Sequence, residues 1–326
     1  MTKAEKPVGF IGRRNIVRRI YSRIGAERPQ SVAVIGGRQV GKSALLEYLA
    51  DEAVMRENLP DPGRYRFASL PGVDDPRLDA AGFLGALNDR LGAAREKGET
   101  EYNRLQRTVE ELHRGGVNLV CFFDDFHFVT RNTNFPLEFF SFLRSLANNF
   151  NLAYVTSSYL ELQKLCVAKD IEESPFFNIF TNIALGLLAP DEARALLAAL
   201  TGWAEADAGR VAAWAGPLPY VLQLAARACP DGPPADGERE KTIMPLLKEY
   251  FAAILAILPR QAFKPLKDMV KGRAADPRDS HFLKPLARHH FLLDEEAGLT
   301  FFSEAFKLFV QKYAVIGMLK GDGGSY

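Results

Sequence analysis

Ser31–Leu49 reads SVAVIGGRQVGKSALLEYL. Val32–Ile35 has the length and β-branched content of a buried strand. The run stops at Gly36, and Gly36–Ser43, GGRQVGKS, fills every position of the spacing G-x-x-x-x-G-K-[ST]. Ala44, Leu45, Leu46, Tyr48 and Leu49 continue at helical spacing, so the motif sits between a strand and a helix. Glycine lets such a loop wrap closely around phosphates. The N–H groups from Gly36 and Gly37 through Arg38, Gln39, Val40, Gly41 and the helix start at Ala44 then face the anion. Lys42 is placed to reach the β- and γ-phosphates, and the Ser43 hydroxyl to ligate Mg²⁺. An ordinary glycine-rich turn needs neither Lys42 nor Ser43, so the stretch predicts a nucleotide-binding loop.

Composition narrows the rest. The chain has 326 residues, 25% charged and 47% hydrophobic, with a formal net charge of +1. That is the balance of a globular protein of two or three domains rather than a disordered one. A charge so near zero argues neither for nor against nucleic acid. Cys121, Cys166 and Cys229 stand far apart with no C-x-x-C, which fits reduced thiols better than a disulfide framework or a zinc site. The first residues lack the apolar core of a leader, and no apolar run approaches a membrane span; both features lead to the expectation of a cytoplasmic protein.

Strands alternate with helices beyond the loop, as in a parallel sheet covered on both faces. Tyr65–Leu70 reads as a strand, helices follow through Ala94 and over Thr100–His113, and Leu119–Phe123 is a fully apolar strand. Asp124 and Asp125 stand at its C-terminal end, where such sheets bind ligands. Asp124 is read as the carboxylate that holds the Mg²⁺ water shell opposite Ser43, and Asp125 as the group that orients or deprotonates the attacking water. Aspartate is a methylene shorter than the glutamate many ATPases use there, which predicts slow hydrolysis. His127 has no His or Cys at ligand spacing and reads as a surface histidine or one behind the site. Leu152–Ser158 forms the next strand, expected between the acidic strand and the phosphate-loop strand. Its terminal Thr156, Ser157 and Ser158 are candidates to sense nucleotide, with Ser157 favoured. Pro-started SPFFNIF, Ser174–Phe180, is expected near the mouth of the site, and Asn182–Leu187 as the last strand.

Pro190-Asp191-Glu192 opens a helix, residues 201–209 read as a turn, and helical segments flank Gly216-Pro217-Leu218-Pro219. Cys229–Gly237, CPDGPPADG, is the clearest linker. Beyond it the spacing predicts helices over Lys248–Leu258, Gln261–Val270 and Ser280–His289, then a hairpin, Phe291–Leu293 and Leu299–Phe302, around an acidic turn that includes Glu296. A final helix is expected over Glu304–Tyr313. Three helices and a hairpin make a winged helix. From residue 241 onward 13 Lys and Arg face 9 Asp and Glu, a modest surplus for a DNA reader, although Lys284, Arg288, His289 and His290 are placed to face phosphates. Contact with protein is the favoured reading of this region, contact with DNA the alternative.

Taken together, FIGRR (Phe10–Arg14), GGRQVGKS, CFFDD (Cys121–Asp125), FLRSL (Phe142–Leu146), YVTSS (Tyr154–Ser158), SPFFNIF, LAPDEARALL (Leu188–Leu197) and AGPLPYVLQL (Ala215–Leu224) resemble the STAND-like and archaeal-type P-loop ATPases. These are relatives of the origin-recognition AAA+ proteins, and the resemblance runs from Val8 to Tyr313. It implies an α/β fold: an ASCE/AAA+-like P-loop parallel sheet (1–188), a helical lid (189–232) and a C-terminal winged helix (238–326). It implies ATP/ADP and Mg²⁺ as cofactors, a nucleotide-gated switch, and a protein partner or homo-oligomer in the ATP state. It also lends Gly12 and Arg13 a place near the base, and makes Pro219 the proline of a lid G-x-P motif whose glycine is here Pro217, unless Gly216 serves. The lack of an N-K-x-D segment favours adenine over guanine. Two alternatives to the switch remain: an ATP-dependent DNA-binding or loading protein, and a nucleotide-bound partner that scarcely hydrolyses.

Overall fold

The computed structural model describes residues 9–70, 73–276, 278–295 and 298–314. Val8 and Glu296, singled out in the sequence, lie outside them. The chain divides into two compact units. One comprises Arg13–Gly36 and Gly41–Leu185; the other comprises the chain start through Gly12, the loop tip Gly37–Val40 and Gly186 onward.

The first unit is built on five parallel strands: β1 (Ser31–Ile35), β2 (Tyr65–Leu70), β3 (Asn118–Phe123), β4 (Leu152–Ser158) and β5 (Phe180–Ala184), in the order β2-β3-β4-β1-β5. β4 therefore lies between the acidic strand and the phosphate-loop strand, with Val32 opposite Val155 and Phe123 opposite Thr156. β3 and β4 are buried throughout, which is why they read as unbroken apolar runs instead of alternating ones. On one side of the sheet Phe83, Phe126, Phe139, Phe140 and Phe176 pack with Phe123 and Tyr154, none more than 1% exposed. Phe83 meets Phe123 edge to face at 5.1 Å between centroids. Each such side chain contributes roughly 1.5–3 kcal/mol by leaving water, and edge-on rings add to that. Cys121 fills the same core, and its thiol is pushed up to about 12 by burial, so it is packing and not chemistry.

Two sequence expectations in this unit change. The last strand starts at Phe180, not Asn182, because its ladder begins where Ser31 meets Phe180. SPFFNIF is not at the mouth of the site: Pro175–Ile179 is a 3₁₀ turn that leads into the start of β5, at the opposite end of the sheet from the phosphate loop. Its Phe176 is wholly buried in the aromatic core.

The second unit carries helices Pro190–Thr201, Glu205–Ala215 and Pro219–Ala228, then Arg239–Ala256, Phe263–Val270 and Lys284–Arg288. A hairpin of β6 (Leu292–Glu295) and β7 (Gly298–Phe301) and a helix from Glu304 to Phe309, ending in π-helical turns to Ala314, complete it. Residues 201–209, expected as a turn, already begin the second helix at Glu205. The helix expected at Lys248 starts at Arg239 and tolerates Pro245 on an exposed face. The third winged-helix element is a 3₁₀ turn, Ser280–Leu283, joined to the short helix Lys284–Arg288, because Pro285 suits a first helical turn and not a helix interior. Phe251, Phe291, Phe302 and Phe306 form its core, with Phe291 and Phe306 centred 5.0 Å apart.

Candidate functional site

The phosphate loop joins β1 to the helix Lys42–Ala50. Gly36 N–H donates to the Ser158 carbonyl at 3.1 Å, which ties the loop's start to the end of β4. Two of its residues are left-handed, Gln39 at φ 65° and Gly41 at φ 94°. Such alternation turns consecutive N–H groups to one side and makes an anion-binding nest. Gly41 is the N-cap and brings no side-chain acceptor to the amides of the first helical turn, the end of a helix that suits an anion. The Lys42 side chain is buried, with Nζ donating to the Gly36 carbonyl at 3.0 Å, so the cation is held across the mouth of its own loop. Ser43 and Ala44 are exposed at the helix start.

At the end of β3 the two acids differ in conformation and partners. Ser157 Oγ donates to Asp124 Oδ1 and accepts the Asp125 N–H at 2.8 Å; the same N–H also reaches Asp124 Oδ1 at 3.1 Å. Asp125 itself adopts φ 47°, a left-handed value that turns its side chain out of strand alternation and leaves it 42% exposed. Among the three hydroxyls considered, Ser157 is thus joined to both acids. Ser158 donates to the Leu160 carbonyl instead, and Thr156 Oγ1 is buried without a hydrogen bond. His127 is not a surface residue. It is buried, stacked on Phe128 at 4.4 Å and edge-on to Tyr159 at 4.8 Å, with Nδ1 3.7 Å from Asp125 Oδ1. Of the two sequence readings, at the surface or behind the site, the second agrees with this burial, and ligand spacing could not show its nearness to Asp125.

The loop tip carries a contact that no motif announces. Arg38 N–H donates to His289 Nδ1 at 3.3 Å, and a Cβ on Gly37 would stand 2.9 Å from His289 Cα. Glycine is required there because a backbone from the end of the helix Lys284–Arg288 lies against it. Of the remaining sequence candidates, Gly12 is left-handed at φ 82°, with a Cβ position only 2.8 Å from the Glu192 carboxyl. Arg13 is buried in a left-handed N-cap, and Pro219 opens the helix Pro219–Ala228. Gly216, at φ 99°, abuts Phe302 and Ser303, a close approach that occupies it structurally.

The donor set fits magnesium bound together with a nucleotide. Ser43 and Asp124 offer one hydroxyl and one carboxylate, both hard oxygens, and phosphates and water complete such an octahedron. Among the described residues no cluster of three or more His, Cys, Asp or Glu is placed to hold a metal without them.

A parallel five-stranded sheet with a phosphate nest after β1, an acid pair after β3 and a winged helix defines a STAND/AAA+-like P-loop NTPase. Residues 26–229, well over half the chain, match the model of the Novel STAND NTPase 2 family, and the protein belongs to that family. The Walker-type ATPase PABY2304 of Pyrococcus abyssi shares the fold at a TM-score of 0.62 and 12% identity, over 95% of this chain and 99% of that one. The ORC2 protein of Aeropyrum pernix, in its ADPNP–ADP complexes, also gives 0.62, at 13% identity over 97% and 98%. A curated relative, the chaperone protein ClpB 2 of Parasynechococcus marenigrum, is 29% identical over 160 residues, 49% of this chain. The match spans 16% of that relative's length. The chain is thus a member of the ATP-binding STAND/AAA+ NTPase superfamily, related in fold to archaeal origin-recognition ATPases. No single helix among the described residues is long and apolar enough to cross a membrane.

Proposed function

We propose that the protein is an ATP/ADP-binding switch that hydrolyses ATP slowly and passes the nucleotide state from its phosphate loop to its C-terminal unit. The observation that carries this reading is the His289 contact: the loop tip, Gly37–Val40, clusters with the C-terminal unit, and Arg38 N–H bonds a residue at the end of a winged-helix element. A phosphate that recruits the Arg38 amide competes with His289 for the same proton donor, so ligand and winged helix compete for one group. Gly216 against Phe302 and Ser303 supports treating the lid helices and the winged helix as one mechanical body. We read 1–188 as the ATPase core, 189–232 as the lid and 238–326 as the winged helix.

In this reading Gly36–Ala44 cradles the phosphates and Lys42 neutralises them. Ser43 and Asp124 hold Mg²⁺, which when bound draws charge from the phosphate oxygens. Ser157 fixes the orientation of Asp124, and Asp125 takes the proton of the attacking water. Gly12, Arg13 and Pro219 serve on the base side of the nucleotide. The partner is a protein, either another polypeptide or a second copy in the ATP state. A DNA-binding role, the alternative, would act through Lys284 and Arg288.

Calorimetric titration of Mg·ATP tests the site. Lys42→Ala should weaken affinity at least about tenfold, since a phosphate-paired cation is lost. A folded Lys42→Ala protein with wild-type affinity contradicts the assignment.

A further inference from the structure

The amino-terminal rim of the same sheet holds a cavity of about 420 Å³. Ser31 at the start of β1 lines it, whereas Gly36 beyond the other end of that strand opens the phosphate loop, so the two sites sit at opposite ends of β1. Arg28, Gln30, Arg144, Asn148 and Asn178 supply most of its polar wall, and none of its lining residues is acidic.

Hydrogen bonds already made leave this wall rich in donors. Gln30 Oε1 accepts from Arg23 Nη1 at 2.7 Å, so what remains is its amide NH₂. Ser31 Oγ accepts the Tyr154 N–H at 3.0 Å and keeps its own proton to give. Arg28 spends one N–H on the Ala147 carbonyl at 3.3 Å and retains the others. Arg144 is half-buried and makes no hydrogen bond or ion pair among the described residues. Three other arginines withdrawn from solvent are ion-paired: Arg104 with Asp89 and Glu101, Arg107 with Glu99, Arg239 with Asp236. A guanidinium partly removed from water without a counter-charge is unfavourable, and its planar fork suits an oxyanion.

We propose that this cavity binds a small organic anion, with Arg144 forking a carboxylate or phosphate group and Arg28, Gln30 and Ser31 donating to the remaining oxygens. The volume falls in the range of small-molecule sites, roughly 300–1,000 Å³, and is larger than a bare inorganic ion fills, so the ligand carries a carbon frame. This site is independent of the nucleotide reading above.

Citrate and glycerol 3-phosphate, titrated calorimetrically into the full chain without magnesium, test it and separate the two sources of oxyanion. At least one should bind with a Kd below about 1 mM. Arg144→Gln should weaken that binding at least about tenfold, and Arg144→Lys, which keeps the charge but loses the fork, should fall between the two. Lys42→Ala should leave it unchanged, which assigns the binding to this rim and not to the phosphate loop. Because Arg144 has no hydrogen-bond or ion-pair partner among the described residues, the melting temperature of Arg144→Gln should match wild type, and Arg144→Lys decides if it does not. No binding of either probe up to about 10 mM, wild-type affinity in Arg144→Gln, or loss of binding in Lys42→Ala would each overturn the proposal.

Discussion

The two rims of the five-stranded sheet both gather positive charge, and they do so by different means. At the carboxyl rim the donors are backbone amides of one continuous loop, set by left-handed Gln39 and Gly41, and the lysine is already fastened to the Gly36 carbonyl. At the amino rim the donors are side chains brought from residues 28–31, from the helix Leu137–Asn149 and from the turn before β5. Acids accompany the first set, as Asp124 and Asp125, and are missing from the wall of the second. A site made of backbone is rigid before its ligand arrives and leaves a short motif in the sequence. A site made of scattered side chains costs more ordering on binding and leaves none.

The comparison is sharpened first by chemistry that belongs to one rim alone. Asp125→Asn should lower steady-state phosphate release by about a hundredfold, the scale on which a misplaced reacting group is felt, while ATP affinity stays within about twofold. Asparagine tolerates the left-handed backbone at Asp125, so the fold should survive. Asp124→Asn should instead lose binding and turnover together if, as proposed, the carboxylate bonded by Ser157 holds the metal. If Asp125→Asn hydrolyses at the wild-type rate, or if both variants lose binding equally, the division between the acids fails.

A smaller effect separates fold from site. Tyr154 lies in the core with its hydroxyl donating to the Leu143 carbonyl at 2.9 Å, and burial holds its phenol well above the usual range. Tyr154→Phe removes that hydrogen bond, while the carbonyl keeps its place in the helix Leu137–Asn149, and should cost about 1 kcal/mol of stability by urea denaturation. Neither rim's ligand affinity should change, and a change at either rim would mean that the core transmits between them.

The carboxyl rim was legible because its residues are consecutive: a strand, a loop with fixed glycines and Lys42-Ser43, then a helix. The place of β4 followed from the layout of phosphate-loop cores, in which the strand after the acidic one lies between it and the phosphate-loop strand. SPFFNIF was misplaced because proline and aromatic content announce a buried turn without saying at which end of the strands it lies. The left-handed backbone of Asp125 carries no signal in a residue that reads equally well as a strand cap. Nor can spacing reveal that His289, 251 positions away, meets Arg38. Such contacts arise from packing of the winged-helix element, not from local propensity.

In the proposed switch the phosphate-loop tip reports nucleotide state through His289. Amide hydrogen exchange at Arg38 and across residues 284–291, compared between Mg·ADP and a non-hydrolysable Mg·ATP analogue, measures it directly. Protection at both places should shift together between the two states, by at least about tenfold, as a local opening equilibrium does when its partner is exchanged. Identical protection in both states, with both nucleotides bound, would contradict it.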